Sequence, residues 1–489
     1  MDRHDHWIDG RSASPSSGHY LPTLDPMTTQ PWAEVARGNS DDVNAAVDAA
    51  SRAFPAWRDA GPSRRAEVLW RLGELIADHA DELGGLESRD AGKVIREVRG
   101  QQLSLKSWYR YYATLAHHQE GRQIPQDRQS ITAFTTRDPY GVIGVIPAFN
   151  SPMLLGAMGL APALAAGNTV VVKAPEVNAL SLLRLGSLAK EAGLPDGCLN
   201  IVVGYGHEAG DALVGHEDVR KIFFTGGPES AKAVTARAAG GLKPTLLELG
   251  GKSANIFFDD VNLEKVLNGV IAGIFAAAGQ TCVAGSRLLA HESIADQLVA
   301  LVAKRAQAIR IGNPTFDDTE MGPISQEKIW SGVRSRVDEA VAQGAEIIAG
   351  GPSADVPSEG WFYAPTVLNN VVNTMDVAQN ELFGPVLSVI RFSDEDEAIA
   401  IANDSPFGLA AGVWTQNVNL AHRVAKRLDA GTVWINMYRG MHFATPFGGS
   451  KLSGYGRENG MDGFAEVTRP KAIWIESSDE AVGDPFVLR

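Results

Sequence analysis

The chain has 489 residues, too many for one ordinary hydrophobic core, so two or three domains are expected. Hydrophobic residues make up 44% and charged residues 21%, a normal balance for a globular protein. The formal net charge of −14 argues against nucleic acid or an anionic membrane as the main partner.

The first residues, the apolar runs and the cysteines limit the class of protein further. The opening MDRHDHWIDG lacks the apolar core of a signal peptide, and no apolar run reaches the length of a membrane span. The two cysteines lie far apart, which excludes both a disulfide framework and a CxxC zinc site. We therefore expect a cytoplasmic protein with no membrane partner.

In chain order, the first elements are long amphipathic helices, predicted over residues 41–59 and 63–89. From residue 141 short apolar strands alternate with helices, a pattern typical of βαβ units in a parallel sheet. The strands are predicted at 141–146, 169–173, 199–203 and 221–225, and the helices at 153–166 and 180–192.

A second α/β block is predicted after residue 248. Its helices are expected near 263–276, 295–309 and 329–342, and its strands at 286–291, 385–391 and 431–436. Residues 129–137 alternate and are rich in β-branched side chains, and 471–475 are similar. These two segments predict an antiparallel β arm.

Two glycine-containing turns compete for a phosphate-binding role. Residues 204–209, GYGHEA, match the G-x-G-x-x-A variant of the dinucleotide fingerprint. Residues 224–227, FTGG, also end a predicted strand and open a helix. Spacing alone does not decide between them.

One of the two cysteines has an unusual setting. In AGQTCVAGSR, residues 278–287, Cys282 is surrounded by small residues. A structural cysteine normally packs among bulky apolar neighbours. The pattern therefore indicates open space beside the sulfur of Cys282.

Five stretches together resemble the signatures of the NAD(P)-dependent aldehyde dehydrogenase superfamily, in that family's order. They are PYGVIGVIPAFNSP (139–152), LELGGK (247–252), GQTC (279–282), ELFGP (381–385) and PFGGSKLSGYGRE (446–458). The resemblance covers residues 7 to 475 and favours the FTGG turn as the pyrophosphate site. Gly227 and Ala231 stand where the family usually has serine and glycine. Cys198, where relatives tend to have an apolar residue, is interpreted as structural.

The resemblance implies a hydrolytic mechanism with four catalytic residues. Cys282 is the expected nucleophile, because a thiolate adds readily to an aldehyde carbonyl. Asn150 and the backbone N–H of Cys282 would hold the resulting oxyanion. Glu248 would be the general base for thioester hydrolysis, and Glu458 would relay protons behind it. The structural alternatives are a turn residue for Asn150, a solvated edge carboxylate for Glu248 and an ion pair with Arg457 for Glu458.

The resemblance also implies NAD as the cofactor. The predicted cofactor-binding residues are Ile146, Pro147, Lys173, Glu176, Phe224, Thr225, Gly226, Gly227, Leu249, Glu381 and Phe383. Glu176 would accept hydrogen bonds from the adenosine ribose and repel the 2′-phosphate of NADP, so NADP is disfavoured. The histidines show no ligand spacing and no metal is expected.

The substrate pocket is expected from the same family pattern. Its predicted residues are Ser151, Leu154, Met158, Ala276, Thr281, Val283, Met441 and Phe447. Several of these positions are commonly aromatic in relatives but not here, which favours a wide apolar tunnel for an aromatic or medium-chain aldehyde. Arg439 and His442 near its mouth could instead meet the carboxylate of a semialdehyde.

Two further functional alternatives are weaker. CoA-acylating relatives generally lack the base carboxylate, so Glu248 counts against that activity. A non-catalytic protein on this fold would be expected to have lost Cys282 or Glu248, and both are present.

The implied fold is α/β: a Rossmann-type cofactor domain, an α/β catalytic domain and a small β oligomerisation element. The expected boundaries are 1–119 and 140–249 for the cofactor domain, 250–467 for the catalytic domain, and 120–139 with 468–489 for the β element. Exposed strand edges need a partner, which predicts a homodimer or homotetramer.

Overall fold

The computed structural model describes residues 1–486. Five short strands and four helices come first: β1 Asp2–His4, β2 His6–Ile8, β3 Arg11–Ala13, β4 Tyr20–Leu24, β5 Pro31–Ala36, α1 Ser40–Asp59, α2 Pro62–Asp78, α3 Ala80–Ala91 and α4 Ile95–Leu115. The helix predicted over 63–89 is thus two helices that meet at His79, which has a non-helical ψ of 19°. The amphipathic pattern continues across this break and does not reveal it.

The middle of the chain alternates strands with helices, as the sequence predicts. Its elements are β6 Gln123–Ile124, β7 Ile131–Pro139, β8 Val142–Ile146, α5 Pro152–Ala165, β9 Thr169–Ala174, α6 Leu180–Glu191, β10 Leu199–Val203, α7 Asp211–Gly215, β11 Val219–Thr225, α8 Pro228–Ala239 and β12 Thr245–Glu248. A π-helical turn, Gly206–Gly210, precedes α7.

The remaining elements form the second α/β block. They are β13 Ala254–Phe257, α9 Leu263–Ile274, β14 Arg287–His291, α10 Glu292–Gln307, α11 Glu327–Ala342, β15 Glu346–Ala349, β16 Thr366–Asn369, α12 Asp376–Gln379, β17 Val386–Phe392, α13 Glu395–Asn403, β18 Phe407–Gly408, β19 Ala410–Trp414, α14 Val418–Arg427, β20 Thr432–Ile435, β21 Ser450–Lys451, β22 Gly454–Tyr455, α15 Gly460–Glu466 and β23 Thr468–Glu476.

The first large sheet has eight strands in the order β22-β12-β11-β8-β9-β10-β2-β3. Its five central strands are parallel and almost wholly buried, because helices cover both faces. Antiparallel strands from distant parts of the chain close its edges. β22 pairs with β12 and places Gly454 opposite Glu248, so the end of the chain covers the strand that carries this carboxylate.

The second large sheet has seven strands in the order β15-β16-β17-β14-β13-β19-β20. The predicted strands near 286, 385 and 431 are β14, β17 and β20, each correct to within one residue at either end. The central strands β13 and β19 were not predicted. The two sheets with their helices confirm the α/β fold class.

A third, three-stranded antiparallel sheet has the order β23-β7-β6. β7 and β23 pair along nine residues, from Ile131 opposite Glu476 to Pro139 opposite Thr468, which confirms the predicted arm. The proposed domain boundaries stay predictions, and residues 487–489 of the last one lie outside the described part. Within residues 1–486 the structure contains no helix that combines the length and the apolar character of a membrane span.

Candidate active site

A cleft of about 880 Å³ opens at the carboxyl ends of β8, β9, β11 and β12. This is the edge at which parallel α/β sheets bind ligands. Cys282, Glu248 and Asn150 line the cleft, and so do all eleven residues predicted to bind the cofactor. We call this space the cofactor cleft. Residues separated by up to 237 positions in the sequence meet there, because the second α/β block contributes Cys282, Glu381 and Phe383 to the edge where the four strands end.

Cys282 follows a tightly constrained turn. After α9 a 3₁₀ turn, Ala276–Gly279, carries positive φ at Ala277 and Ala278, a conformation that non-glycine residues rarely adopt. At Gly279, φ is 73° and a Cβ would lie 2.1 Å from the carbonyl oxygen of Gly384. The small residues around Cys282 therefore serve close backbone packing as well as access to the sulfur.

Asn150 comes close to the same turn from β8. Its side-chain amide donates to the carbonyl oxygen of Gln280 at 3.0 Å, two residues before Cys282. A carboxamide has two N–H donors, so the second remains available for a substrate oxygen. Asn150 is thus tied to the loop that carries the nucleophile, beyond the role of a simple turn residue.

The surroundings of Cys282 disfavour the thiolate in the resting protein. Burial raises the pKa of this thiol to about 12, and the carboxylates of Glu381 and Glu248 add to the effect. A cation held beside the sulfur would oppose this shift, because opposite charge favours the ionised form.

Glu248 and Glu458, which we call the carboxylate pair, lie close enough for their charges to interact, and the charge of Glu248 also acts on Cys282. Only 3% of Glu248 and 2% of Glu458 are exposed. Both oxygens of Glu248 and Oε2 of Glu458 are buried without a hydrogen-bond partner in the protein. Glu248 is therefore no solvated edge carboxylate. Arg457 donates instead to the carbonyls of Gly449 and Gly456, and no ion pair links it to Glu458 among residues 1–486.

This burial changes the acidity of both carboxyl groups. Desolvation raises the pKa of Glu248 well above its ordinary value, the charge of Glu458 raises it further, and that of Arg457 lowers it. Desolvation raises the pKa of Glu458 to about 8. Near-neutral carboxyl groups of this kind suit proton transfer at physiological pH.

At one end of the cofactor cleft the groups match a nucleotide. Lys173 Nζ lies 3.5 Å from Glu176 Oε2, and the Glu176 side chain is 40% exposed. Gly227 precedes α8 with open space where its side chain would be. The helix N-terminus attracts phosphate and the carboxylate can accept ribose hydroxyls.

At the other end the cleft narrows towards Cys282. Glu381 Oε1 accepts from the backbone N–H of Gly251 at 3.1 Å, and burial raises its pKa to about 7. The rings of Phe149 and Phe383 meet edge to face, with their centroids 5.7 Å apart. A carboxylate and aromatic rings near Cys282 fit the ribose and ring of a nicotinamide, so the cofactor cleft suits a nicotinamide dinucleotide along its length.

Some of the predicted substrate residues pack close to Cys282. Val283 and Phe447 form a small apolar cluster with Trp434, against which Cys282 and Met441 pack. Leu154 and Met441 are partly buried, together with Phe443, against the core around α5. Thr281 and Ala276 are half-buried.

Two predicted pocket residues have different surroundings. Met158 is fully buried in the core because α5 is apolar on every face, and it meets no open surface. The Ser151 hydroxyl accepts a hydrogen bond from Lys93 at 2.7 Å. Neither side chain lines the cofactor cleft.

Several cleft residues were missed from the sequence. Both competing glycine turns contribute, since Tyr205, Gly206 and His207 line the cleft together with the FTGG turn. Four residues of α8 also line it: Ser230, Ala233, Val234 and Arg237. Their i, i+3, i+4, i+7 spacing places them on one face of the helix. This spacing in the sequence could have indicated that they line the cleft together.

No group of three or more histidine, cysteine, aspartate or glutamate side chains within residues 1–486 is arranged to hold a metal ion. Cys198 is fully buried, and burial raises its pKa to about 12. This agrees with a structural interpretation.

Comparison with known proteins identifies the family. The model of the aldehyde dehydrogenase family matches residues 13–473. A (Z)-2-((N-methylformamido)methylene)-5-hydroxybutyrolactone dehydrogenase of Acinetobacter baylyi is 44% identical over 470 residues, covering 96% of each chain. A betaine aldehyde dehydrogenase of Bacillus subtilis is 38% identical over 480 residues, covering 97% of this chain and 98% of its own.

Solved structures agree. The crystal structure of PnpE in complex with nicotinamide adenine dinucleotide superimposes with a TM-score of 0.96 at 39% identity, covering 99% of both chains. A betaine aldehyde dehydrogenase of Staphylococcus aureus in complex with NAD+ gives 0.96 at 35% identity, over 98% of this chain and 96% of that one. This chain therefore belongs to the aldehyde dehydrogenase family and is an NAD(P)-dependent enzyme that oxidises aldehydes to carboxylic acids.

Proposed function

We propose that this enzyme uses NAD to oxidise an aromatic or medium-chain aldehyde, through a thioester on Cys282 that is hydrolysed with Glu248 as the base. The observation that carries the proposal is the meeting of three groups at one cleft: a cysteine on a constrained loop, an amide beside it, and a buried carboxylate without a protein partner.

In the first half of the reaction the Cys282 thiolate adds to the carbonyl carbon. The carbonyl oxygen becomes an alkoxide, which Asn150 and the backbone N–H of Cys282 can hold. Losing one such donor typically costs about 2.7–4 kcal/mol of transition-state stabilisation. The alkoxide re-forms a C=O bond and expels hydride, leaving a thioester on Cys282. Bound NAD supplies the oxidised nicotinamide that accepts this hydride.

In the second half, Glu248 takes a proton from water as the oxygen attacks the thioester carbon. The carbon–sulfur bond breaks, the carboxylic acid leaves and the Cys282 thiolate is restored. Buried without a partner, the Glu248 carboxylate has free lone pairs for that water. This arrangement favours hydrolysis over transfer to CoA.

NAD preference rests on Glu176. A carboxylate there accepts the ribose hydroxyls of NAD but repels the 2′-phosphate of NADP. At about 4 Å and a surface-like dielectric, two unit charges repel by about 4 kcal/mol. Lys173 lies 3.5 Å away and offsets part of this, so we propose a preference rather than exclusion.

The residues on the far side of Cys282 from the nucleotide end support the proposed substrate class. Met441 packs against the apolar cluster around Cys282 and, together with Phe443, against the core around α5. Phe443 also packs against Trp108 and Tyr111, with ring centroids 5.8 and 5.1 Å apart. Arg439, the candidate for binding a semialdehyde carboxylate, already pairs with Glu97 at 3.4 Å. The names of the relatives refer to different aldehydes and do not single out a substrate. The proposal of an apolar substrate therefore depends on these apolar and aromatic residues.

We further propose that the enzyme is a homodimer or homotetramer. Trp474 is 63% exposed on β23, and Ile475 and Ile124 are exposed on the same three-stranded sheet. Large apolar side chains on an open sheet suit a partner strand. Sedimentation at micromolar concentration tests this, and a single monomeric species would contradict it.

The function itself is tested with benzaldehyde, hexanal and succinic semialdehyde, each with NAD. We expect the first two to give the higher kcat/KM, with one NADH and one acid formed per aldehyde. A preference for the semialdehyde would overturn the substrate class, and acid production only with CoA would overturn the hydrolytic mechanism.

A further inference from the structure

Lys93 lies just after α3, in a setting that its local sequence does not explain. Gly92 ends α3 with φ at 73°, which turns the chain inward, and the Ser88 hydroxyl donates to the carbonyl of Lys93 at 2.7 Å. Lys93 is only 3% exposed. The fold therefore delivers an ammonium group into the protein interior.

This ammonium has polar partners but no contacting carboxylate. Its Nζ donates to Gln101 Oε1 at 2.9 Å and to the Ser151 hydroxyl at 2.7 Å. Within residues 1–486 no carboxylate oxygen lies within 4 Å of it. By contrast, the buried Lys221 contacts Glu466 directly. Burying a charge without an ion pair costs free energy. The burial of the Lys93 ammonium therefore suggests that this group has a function.

The groups around Lys93 act on its charge in both directions. Burial lowers the pKa of Lys93, and Arg439 lowers it further, whereas Glu97 and Glu87 raise it. The two carboxylates thus favour the ammonium form without forming contact ion pairs.

Ser151 shows what the lysine does. This residue stands at the N-cap of α5, where a serine hydroxyl normally accepts a hydrogen bond from the first helical turn. Here it makes no such bond. It accepts from Lys93 instead, and donates to the carbonyl oxygen of Asn150 at 2.7 Å. The Ser151 hydroxyl therefore links Lys93 to Asn150 instead of capping α5.

The bond from Ser151 fixes one side of the segment 149–150, which is also fixed by two further hydrogen bonds. Asn178 donates to the carbonyl of Phe149 at 2.7 Å, and the Asn150 amide donates to the carbonyl of Gln280 at 3.0 Å. We propose that Lys93, acting through Ser151, is a positioning residue that fixes Asn150 for the substrate oxygen. This inference rests on the proposed roles of Asn150 and Cys282.

The test compares Lys93→Met and Lys93→Arg with wild type in rapid mixing of enzyme, NAD and aldehyde. Lys93→Met should slow the NADH burst at least tenfold and leave the Kd for NAD within twofold, because the lysine does not line the cofactor cleft. Lys93→Arg, which keeps the charge, should recover a third or more of the burst rate.

Lys221→Met is the matched control, because it also replaces a buried lysine by an apolar chain. Its thermal stability should fall, yet its burst rate should stay within twofold of wild type. Equal loss of burst rate in Lys93→Met and Lys221→Met would reduce Lys93 to a structural role, and an unchanged burst in a folded Lys93→Met would overturn the proposal.

A second variant guards against misfolding. Ser151→Ala removes the link without changing charge and should also slow the burst, and the double variant with Lys93→Met should be no slower than the slower single one. Additive losses would show that the two residues act separately. If wild type itself gives no burst with any aldehyde, the proposed function fails; if it bursts and Lys93→Met does too, only this inference fails.

Discussion

The nucleotide end of the cofactor cleft and the carboxylate pair hold their charged groups in opposite ways, although Glu248 also lines the cleft. At the nucleotide end the charged groups are paired and partly solvated: Glu176 lies 3.5 Å from Lys173, with 40% of its side chain exposed. In the carboxylate pair, three oxygens of Glu248 and Glu458 are buried without partners. The carboxylate proposed to bind the ribose is thus paired, whereas the carboxyl groups proposed to move protons are not.

This difference has an energetic side. Leaving a buried polar group unpaired costs about 1–3 kcal/mol, and more for a charge. Burial raises the pKa values of both carboxyl groups and so favours their uncharged, protonated forms, which avoids part of that cost. A raised pKa alone does not distinguish the carboxylate pair, because burial also raises the pKa of Glu381 to about 7. Glu381 accepts a hydrogen bond from Gly251, so the lack of a partner is what sets the carboxylate pair apart.

Cys282, the proposed nucleophile, gives the largest expected effect. Cys282→Ala should abolish both the NADH burst and turnover, leaving less than about a hundredth of the wild-type rate, because no other group can form the thioester. Its Kd for NAD, measured by fluorescence titration, should be nearly unchanged. Cys198→Ala, at the other cysteine, should remain active. Substantial turnover in Cys282→Ala would show that hydride transfer proceeds without the sulfur.

Removing the carboxylate of Glu248 should block only the second half of the reaction, the hydrolysis of the thioester. Glu248→Gln should keep an NADH burst near one per active site and then turn over about a hundredfold more slowly, the low end for general-base catalysis. Mass spectrometry should find the acyl group on Cys282. Glu264→Gln, on the exposed side of α9, is the control and should behave as wild type. Normal turnover in Glu248→Gln would assign the base to another group.

The sequence alone predicts most of the frame on which these groups stand. The parallel strands of the first sheet are easily recognised because they contain unbroken apolar runs, as in VIGVI of β8 and the three valines of β9. β13, with the sequence ANIF, and β19, with AAGVW, escape notice because they are short and rich in residues of low strand propensity. Pairing with neighbours on both sides makes them strands, and no local pattern shows that.

The same limit applies to the site. Cys282 is conspicuous because small residues surround it, whereas Lys93 is not, since its contact with Ser151 spans 58 positions. The hydroxyl of Ser151 can be assigned to the substrate pocket or to a helix cap from the sequence, and only the fold shows that it meets a buried ammonium. Long-range polar contacts are the part that sequence reasoning leaves out.

On the cofactor side the expected effects are smaller, because paired groups tune binding rather than chemistry. Wild type should favour NAD over NADP in kcat/KM by at least about tenfold, or 1.4 kcal/mol. Glu176→Ser should narrow this gap, mainly by improving NADP. Glu191→Ser, which removes an exposed carboxylate outside the cleft, controls for net charge. An unchanged cofactor ratio in Glu176→Ser would remove this role from Glu176.

The smallest expected effect separates the two members of the carboxylate pair. Glu458 raises the pKa of Glu248 by like-charge repulsion, so Glu458→Gln should lower the Glu248 pKa. Thioester hydrolysis needs the ionised Glu248, and its rate should rise with pH through that pKa. The rising limb should therefore move to lower pH in Glu458→Gln, which makes the variant faster than wild type on the acid side. A pH series of single-turnover hydrolysis measures this. An unmoved limb would mean that the two carboxyl groups do not interact, and a lower plateau at high pH would show that Glu458 also carries protons away from Glu248.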